Sequence, residues 1–180
     1  MSGAVRRAAV AAGLLLALGA VAAAQDLPLA EDRTAIDACL AKAADMPESC
    51  IGTAYARCIE TPEGATTAGM GACSWRETAV WDEKMDASLK QLLTGSLGQT
   101  EADPSNRPPE NKRDGKVPGT DIINDMQKTW VMFRAKKCDT GAMQAEGGSL
   151  SRVLYGSCFY DETARHALWL ATLVDDTKPH

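Results

Sequence analysis

Residues 72–93 read ACSWRETAVWDEKMDASLKQLL. Thr78, Trp81, Met85, Leu89 and Leu92 recur at steps of three and four, the spacing that puts side chains on one face of an α-helix. Asp82 and Asp86 stand four apart beside that stripe. No strand pattern competes: aromatic content is 5 %, and no hairpin dipeptide sits between alternating runs. A helix with one apolar face needs helical partners, and the rest of the chain supplies them.

Downstream, about Asp121 to Lys137 predicts a second long helix. Asp121 suits its N-cap, Ile123, Met126, Trp130 and Phe133 form its apolar stripe, and Arg134, Lys136 and Lys137 crowd the C-terminal turn, where the helix dipole favours cations. Thr140–Ser149 reads as a glycine-containing loop ending in Gly147-Gly148-Ser149. A last helix is expected from Ser157 or Cys158 to about Val174. Upstream, residues 34–44 read as a short helix broken at Asp45-Met46-Pro47. Ser49 is a plausible N-cap for another helix reaching about Glu60, followed by a turn-rich stretch, Thr61 to Gly71. Residues 95–119 differ in kind: Pro104, Pro108, Pro109 and Pro118 lie among charged and polar residues, which reads as a long exposed loop. The expected architecture is all-α, four to five helices with one long Pro-rich loop.

The six cysteines, Cys39, Cys50, Cys58, Cys73, Cys138 and Cys158, gain meaning from the N-terminus. Arg6 and Arg7 precede an apolar run, Ala8 to Val21, and Ala22-Ala23-Ala24 offers the small residues that signal peptidase reads. The run is about 14 residues, against about 20 needed to span a bilayer. Residues 1–24 are therefore expected to be a signal peptide and 25–180 a single domain. An even cysteine count after a secretion signal reads as disulfides. If Cys50 and Cys58 share one helix, a rise of about 1.5 Å per residue holds them about 12 Å apart, too far to bridge. Each then needs a partner elsewhere, with Cys39 and Cys73 available. With no Cys-x-x-Cys and only His166 and His180 as histidines, no metal site is expected, and nothing calls for a cofactor.

Cleavage after residue 24 removes two Arg and no acid, so Lys+Arg falls from 19 to 17 against 24 Asp+Glu and the charge moves from -5 to -7. Such a surface disfavours nucleic acid and anionic lipid.

The set Cys73, Glu77, Trp81-Asp82-x-x-Met85-Asp86-x-x-Leu89, then Met126-Gln127-x-x-Trp130-x-x-Phe133-Arg134-x-x-x-Cys138, then Gly147-Gly148-Ser149, Cys158 and Thr163-x-Arg165-x-x-Leu168 resembles the lysozyme-inhibitor LprI-like N-terminal domain family of bacterial envelope proteins. The similarity covers about residues 72–170. It implies an extracytoplasmic helical domain and, through the family's name, a protein partner of the lysozyme type. Cys138 and Cys158 are expected to pair across the Gly-rich loop, contributing about 3 kcal/mol by the loop-entropy model. Cys39, Cys50, Cys58 and Cys73 would then pair among themselves in an order the sequence leaves open.

Three constellations could carry chemistry. Gly147, Gly148, Ser149 and Arg152 could approach the acidic cleft of a muramidase, the glycines allowing close backbone approach and the hydroxyl and guanidinium bonding carboxyl groups. Asp82 and Asp86 with Arg134 and Arg165 read as ion pairs fixing helix register. The alternative is a carboxylate-dependent cell-wall hydrolase using Glu77, Asp82 or Glu83, but no cleft signal accompanies these acids. His166 reads as an ordinary helix-surface histidine. Among the tryptophans, which could form a sugar-stacking set, Trp81 and Trp130 read as core. The expectation is a periplasmic or secreted binding protein rather than an enzyme, possible partners being a cationic lysozyme or, for an envelope scaffold or stress protein, some other protein.

Overall fold

The computed structural model describes residues 28–103, 115–145 and 148–178. The proposed leader and Gly147 lie outside the described residues. Among the described residues six α-helices run in the order α1 (Ala30–Lys42), α2 (Thr53–Ile59), α3 (Thr67–Thr94), α4 (Ser96–Gln99), α5 (Gly119–Ala142) and α6 (Ser149–Asp176). The all-α architecture is the one the sequence implies, with α2 and α4 very short.

Helices α3 and α6, 28 residues each, form the spine. They run side by side in the same direction: Arg152 lies beside Gly71, Gly156 beside Ser74, and the Ser96 hydroxyl donates to the Thr177 carbonyl at 3.3 Å. A Cβ on Gly156 would come within 2.8 Å of Ser74, so glycine permits this close crossing. Helix α5 runs antiparallel to α6, its Gln127, Arg134 and Lys137 meeting His166, Thr163 and Glu162 in turn. The core joins α1, α2, α3, α5 and α6 through Ile36, Ala54, Val80, Trp81, Met85, Leu92, Ile123, Ala164, Ala167, Leu170 and Val174, with Leu97 of α4 packed against it. The stripe read from residues 72–93 faces it, with Trp81 fully buried and Leu89 packed at the edge.

Several boundaries move. Helix α3 starts at Thr67 because Thr66 caps it, its hydroxyl accepting from Gly69 N at 2.9 Å. Ser49 caps no helix: its hydroxyl donates to the Met46 carbonyl, and Pro47–Cys50 is a 3-10 turn. Gly52, at φ +89°, is the N-cap of α2, in a conformation that favours glycine. Cys50 and Cys58 thus lie in separate elements, and the bridges are Cys39–Cys50, Cys58–Cys73 and Cys138–Cys158. Helix α6 begins at Ser149, eight residues before the expected Ser157, so the loop after α5 is short. The segment 95–119 is also not loop throughout. Ser96–Gln99 is helical, and Glu101–Ala102 (β1) pairs antiparallel with Val117–Pro118 (β2), Glu101 opposite Pro118. That two-residue ladder brings the two sides of the segment together, while Pro104, Pro108 and Pro109 lie outside the described residues.

Candidate binding surface

At one end of the spine the N-termini of α3 and α6 lie together, placing two partial positive charges side by side. A cavity of about 810 Å³ opens there, lined by Thr67, Asp139, Met143, Ser149, Arg152 and Tyr155. Gly148 is the N-cap of α6, and its glycine side leaves the first-turn N–H groups without a side-chain cap. Ser149 and Arg152 therefore project from the first turn of a long helix rather than from a flexible loop. Met143 and Leu150 beside them are 73 % and 56 % exposed, enough to act as apolar anchors for a partner. The stem of Arg152 rests against Gly71.

The charge set separates. Arg134 points inward, its Nη1 donating to Thr163 Oγ1 at 2.6 Å and lying 3.5 Å from Asp82. Burial lowers the Arg134 pKa and raises that of Asp82, more than their mutual attraction opposes either shift. The pair is thus a partly desolvated contact, not a strong source of stability. Asp86 is exposed and reaches the set only by repelling Asp82. Arg165 does not join it. Two residues past Thr163 on the same helix, it faces about 200° away and pairs with Asp161 at 2.8 Å and Glu48 at 3.1 Å.

The candidate hydrolase acids are spoken for. Glu77 is fully buried. Its Oε1 accepts from Gly52 N at 3.0 Å and the Trp81 indole at 2.6 Å, and its Oε2 from Ala54 N at 2.7 Å and Tyr55 N at 2.9 Å. Those three backbone donors belong to the N-terminal end of α2, which has no side-chain cap of its own, so Glu77 of α3 caps another helix. Glu83 is on the surface in a two-bond pair with Arg33. Among the described residues no group of three or more His, Cys, Asp or Glu could hold a metal.

A feature the stripe reading missed runs along the α5–α6 seam. The Arg134 guanidinium lies 3.9 Å from the Phe159 ring centre and 4.5 Å from that of Trp130. His166 stacks on Trp130 at 3.9 Å and 8°, and Trp169 follows it at 5.4 Å. His166 is therefore no surface histidine: it is half-buried, hydrogen-bonded to Gln127 Oε1 at 2.8 Å, and burial, then Arg134, push its pKa down to about 4. Phe133, expected inside, is 56 % exposed because Arg134 takes the inward position next to it. Trp130 is half-buried, while Trp75 and Trp169 are 44 % and 49 % exposed. The signal available in the sequence was the (i, i+3) spacing of His166 and Trp169 opposite Trp130, which becomes meaningful only once α5 and α6 are aligned.

No helix among the described residues is long and apolar enough to cross a membrane. Neither curated proteins nor solved structures offer a match to the chain. The model of one family, described as lysozyme inhibitor LprI, matches residues 58–170, from the Cys58–Cys73 bridge to Leu170 in the core. That match spans more than half of the sequence and includes α3, α5 and most of α6; the chain belongs to the LprI family, an inhibitor family rather than an enzyme family.

Proposed function

We propose that the protein is exported and inhibits lysozyme-type muramidases in the periplasm or outside the cell, presenting Ser149 and Arg152 to the enzyme's paired carboxyl groups. The family match over residues 58–170 carries this reading. The end of the spine supports it with suitable chemistry: a guanidinium and a hydroxyl on a rigid helix turn, uncapped N–H groups, and exposed Met143 and Leu150 around them. Charge-assisted hydrogen bonds from these donors suit a carboxylate pair. The net charge of -7 left once residues 1–24 are removed (17 Lys+Arg against 24 Asp+Glu) speeds encounter with a basic enzyme and makes it salt-sensitive, without supplying specificity. The three disulfides are the bonds of an oxidising compartment.

The oxidised protein lacking residues 1–24, incubated with hen-type, goose-type and invertebrate-type lysozymes, is expected to slow lysis of cell walls by at least one of them. The Ser149→Ala/Arg152→Ala variant should inhibit at least about tenfold less well, as loss of hydrogen bonds to charged groups implies. Undiminished inhibition by that variant would remove the site. Lysis without added enzyme would instead favour a hydrolase, and no effect on any lysozyme would favour an envelope scaffold.

A further inference from the structure

Trp75 is an exposed indole in a fixed position. It is 44 % exposed, yet its ring meets Phe159 edge-on at 5.2 Å and Tyr155 at 6.4 Å, and Tyr155 stacks on Phe159 at 5.4 Å. Two residues before it, Cys73 is bridged to Cys58. An indole held this way offers a partner a large apolar face and loses little freedom on binding.

The same rings tie Trp75 to the end of the spine. Tyr155 lines the cavity that holds Ser149 and Arg152. The Arg152 stem rests on Gly71, one helical turn, about 6 Å, before Trp75 on α3. Trp75 in turn borders a second opening of about 440 Å³, together with Glu63 and Arg76. Ala68 lines the first opening and Ala72 the second; both are exposed, and neither is large enough to wall one off from the other. The two openings therefore make one strip along α3 and α6. Trp169 and Phe133, exposed to a similar degree, share no opening with Ser149 or Arg152.

Charge along the strip has an order. Arg152 shares the first opening with the exposed carboxylate of Asp139, and Glu63 adds another at the second. Arg76, the other cation there, is held by Asp32 at 2.7 Å and Glu31 at 2.9 Å. An available guanidinium with carboxylates in both openings complements the reverse arrangement, an acidic centre bordered by basic side chains.

We infer that the muramidase contact extends from Ser149 and Arg152 along this strip to Trp75. The inference rests on the inhibitor reading and names the partner more closely, as an enzyme whose acidic cleft has a basic rim. Arg152 enters the cleft, Asp139 and Glu63 face the rim, and Trp75 is the apolar anchor covered by the enzyme.

The test measures binding and inhibition by the oxidised protein lacking residues 1–24, against the same hen-type, goose-type and invertebrate-type lysozymes. Trp75→Ala should bind at least tenfold more weakly, and Trp75→Tyr should recover part of the loss. Ala72→Arg leaves the ring cluster intact, sets a cation against the basic rim, and should also weaken binding several-fold. Glu63→Gln/Asp139→Asn should slow association and flatten its dependence on salt. Trp169→Ala should bind as the parent does. Urea midpoints show whether Trp75→Ala has altered the fold, and if it has, Ala72→Arg decides. Parent-like affinity in both Trp75→Ala and Ala72→Arg overturns the inference and leaves the Ser149 and Arg152 contact standing. A parent that inhibits none of the enzymes overturns the inhibitor reading and this inference together.

Discussion

The two flanks of α3 are held by different chemistry. On one, α1 and α2 are short helices fastened by polar and covalent devices: Cys39–Cys50, Cys58–Cys73, the buried Glu77 cap, and Asp32, 3 % exposed, in a two-bond pair with Arg76 at 2.7 and 2.8 Å. On the other, α5 is long and leans on α6 through stacked rings, one buried guanidinium and one disulfide at its far end. Length explains the contrast. A seven-residue helix such as α2 cannot hold itself together in water, so its orphan N–H groups and its position must be fixed from outside. A 24-residue helix supplies its own backbone bonds and can leave part of its apolar face open.

The comparison breaks most visibly at Glu77. Glu77→Ala strands four N–H donors in the interior and should cost about 3–5 kcal/mol, a large part of a domain's stability. Urea unfolding with disulfides intact measures it, and hydrogen exchange at Ala54 and Tyr55 should accelerate first. Glu77→Gln, which turns an amide toward donors, should recover only a fraction. A near-neutral Glu77→Ala would mean that the bridges alone hold α2.

Next is the covalent clamp on the other flank. Replacing Cys138 and Cys158 by Ser opens a loop of 20 residues and should cost about 3 kcal/mol, whereas opening the 11-residue Cys39–Cys50 loop should cost about 0.5 kcal/mol less. The reverse order would show that stacking already holds α5 in place.

The aromatic seam has a smaller, pH-dependent signature. His166 titrates near 6.5 in the unfolded chain and about 4 in the fold, so the native state binds fewer protons between those values. Its contribution is complete above pH 6.5 and lost as pH falls through 4, about 1–2 kcal/mol after discounting for partial exposure. Asp82, whose pKa is raised by burial, works in the opposite sense. Urea midpoints between pH 4 and 7 should therefore rise with pH in the parent and flatten in His166→Gln. An unchanged slope in that variant would place the titration elsewhere.

The smallest effect belongs to the surface. Arg33 and Glu83 meet at 2.6 Å in the open, where solvent screens them. Arg33→Ala should leave the urea midpoint within experimental error.

Much of this was legible beforehand where a rule depends only on spacing along the chain. The stripe Thr78, Trp81, Met85 and Leu92 needed no partner to be read, because helical periodicity is local. The same reasoning misplaced Phe133, since one step along a helix separates inside from outside and the occupant of the inward position, Arg134, is charged. The helical first half of α6 was hidden behind Gly147, Gly148 and Gly156. Of these, Gly148 caps the helix and Gly156 serves a helix crossing, while Gly147 lies outside the described residues. In the candidate binding surface, Ser149 and Arg152 were singled out, but Met143, Leu150 and the joined N-termini of α3 and α6 were not, because they meet only through the parallel packing of the spine.

The amino-acid order by itself determined the helical class, the long helices and the even set of cysteines, since these follow from local periodicity and from counting. Tertiary packing alone decided that Glu77 caps α2, that Arg134 enters the seam while Arg165 turns away, and that His166 is shielded between two indoles. Each of these joins residues more than 20 positions apart or depends on which side of a helix a neighbour covers, and no short-range pattern records either.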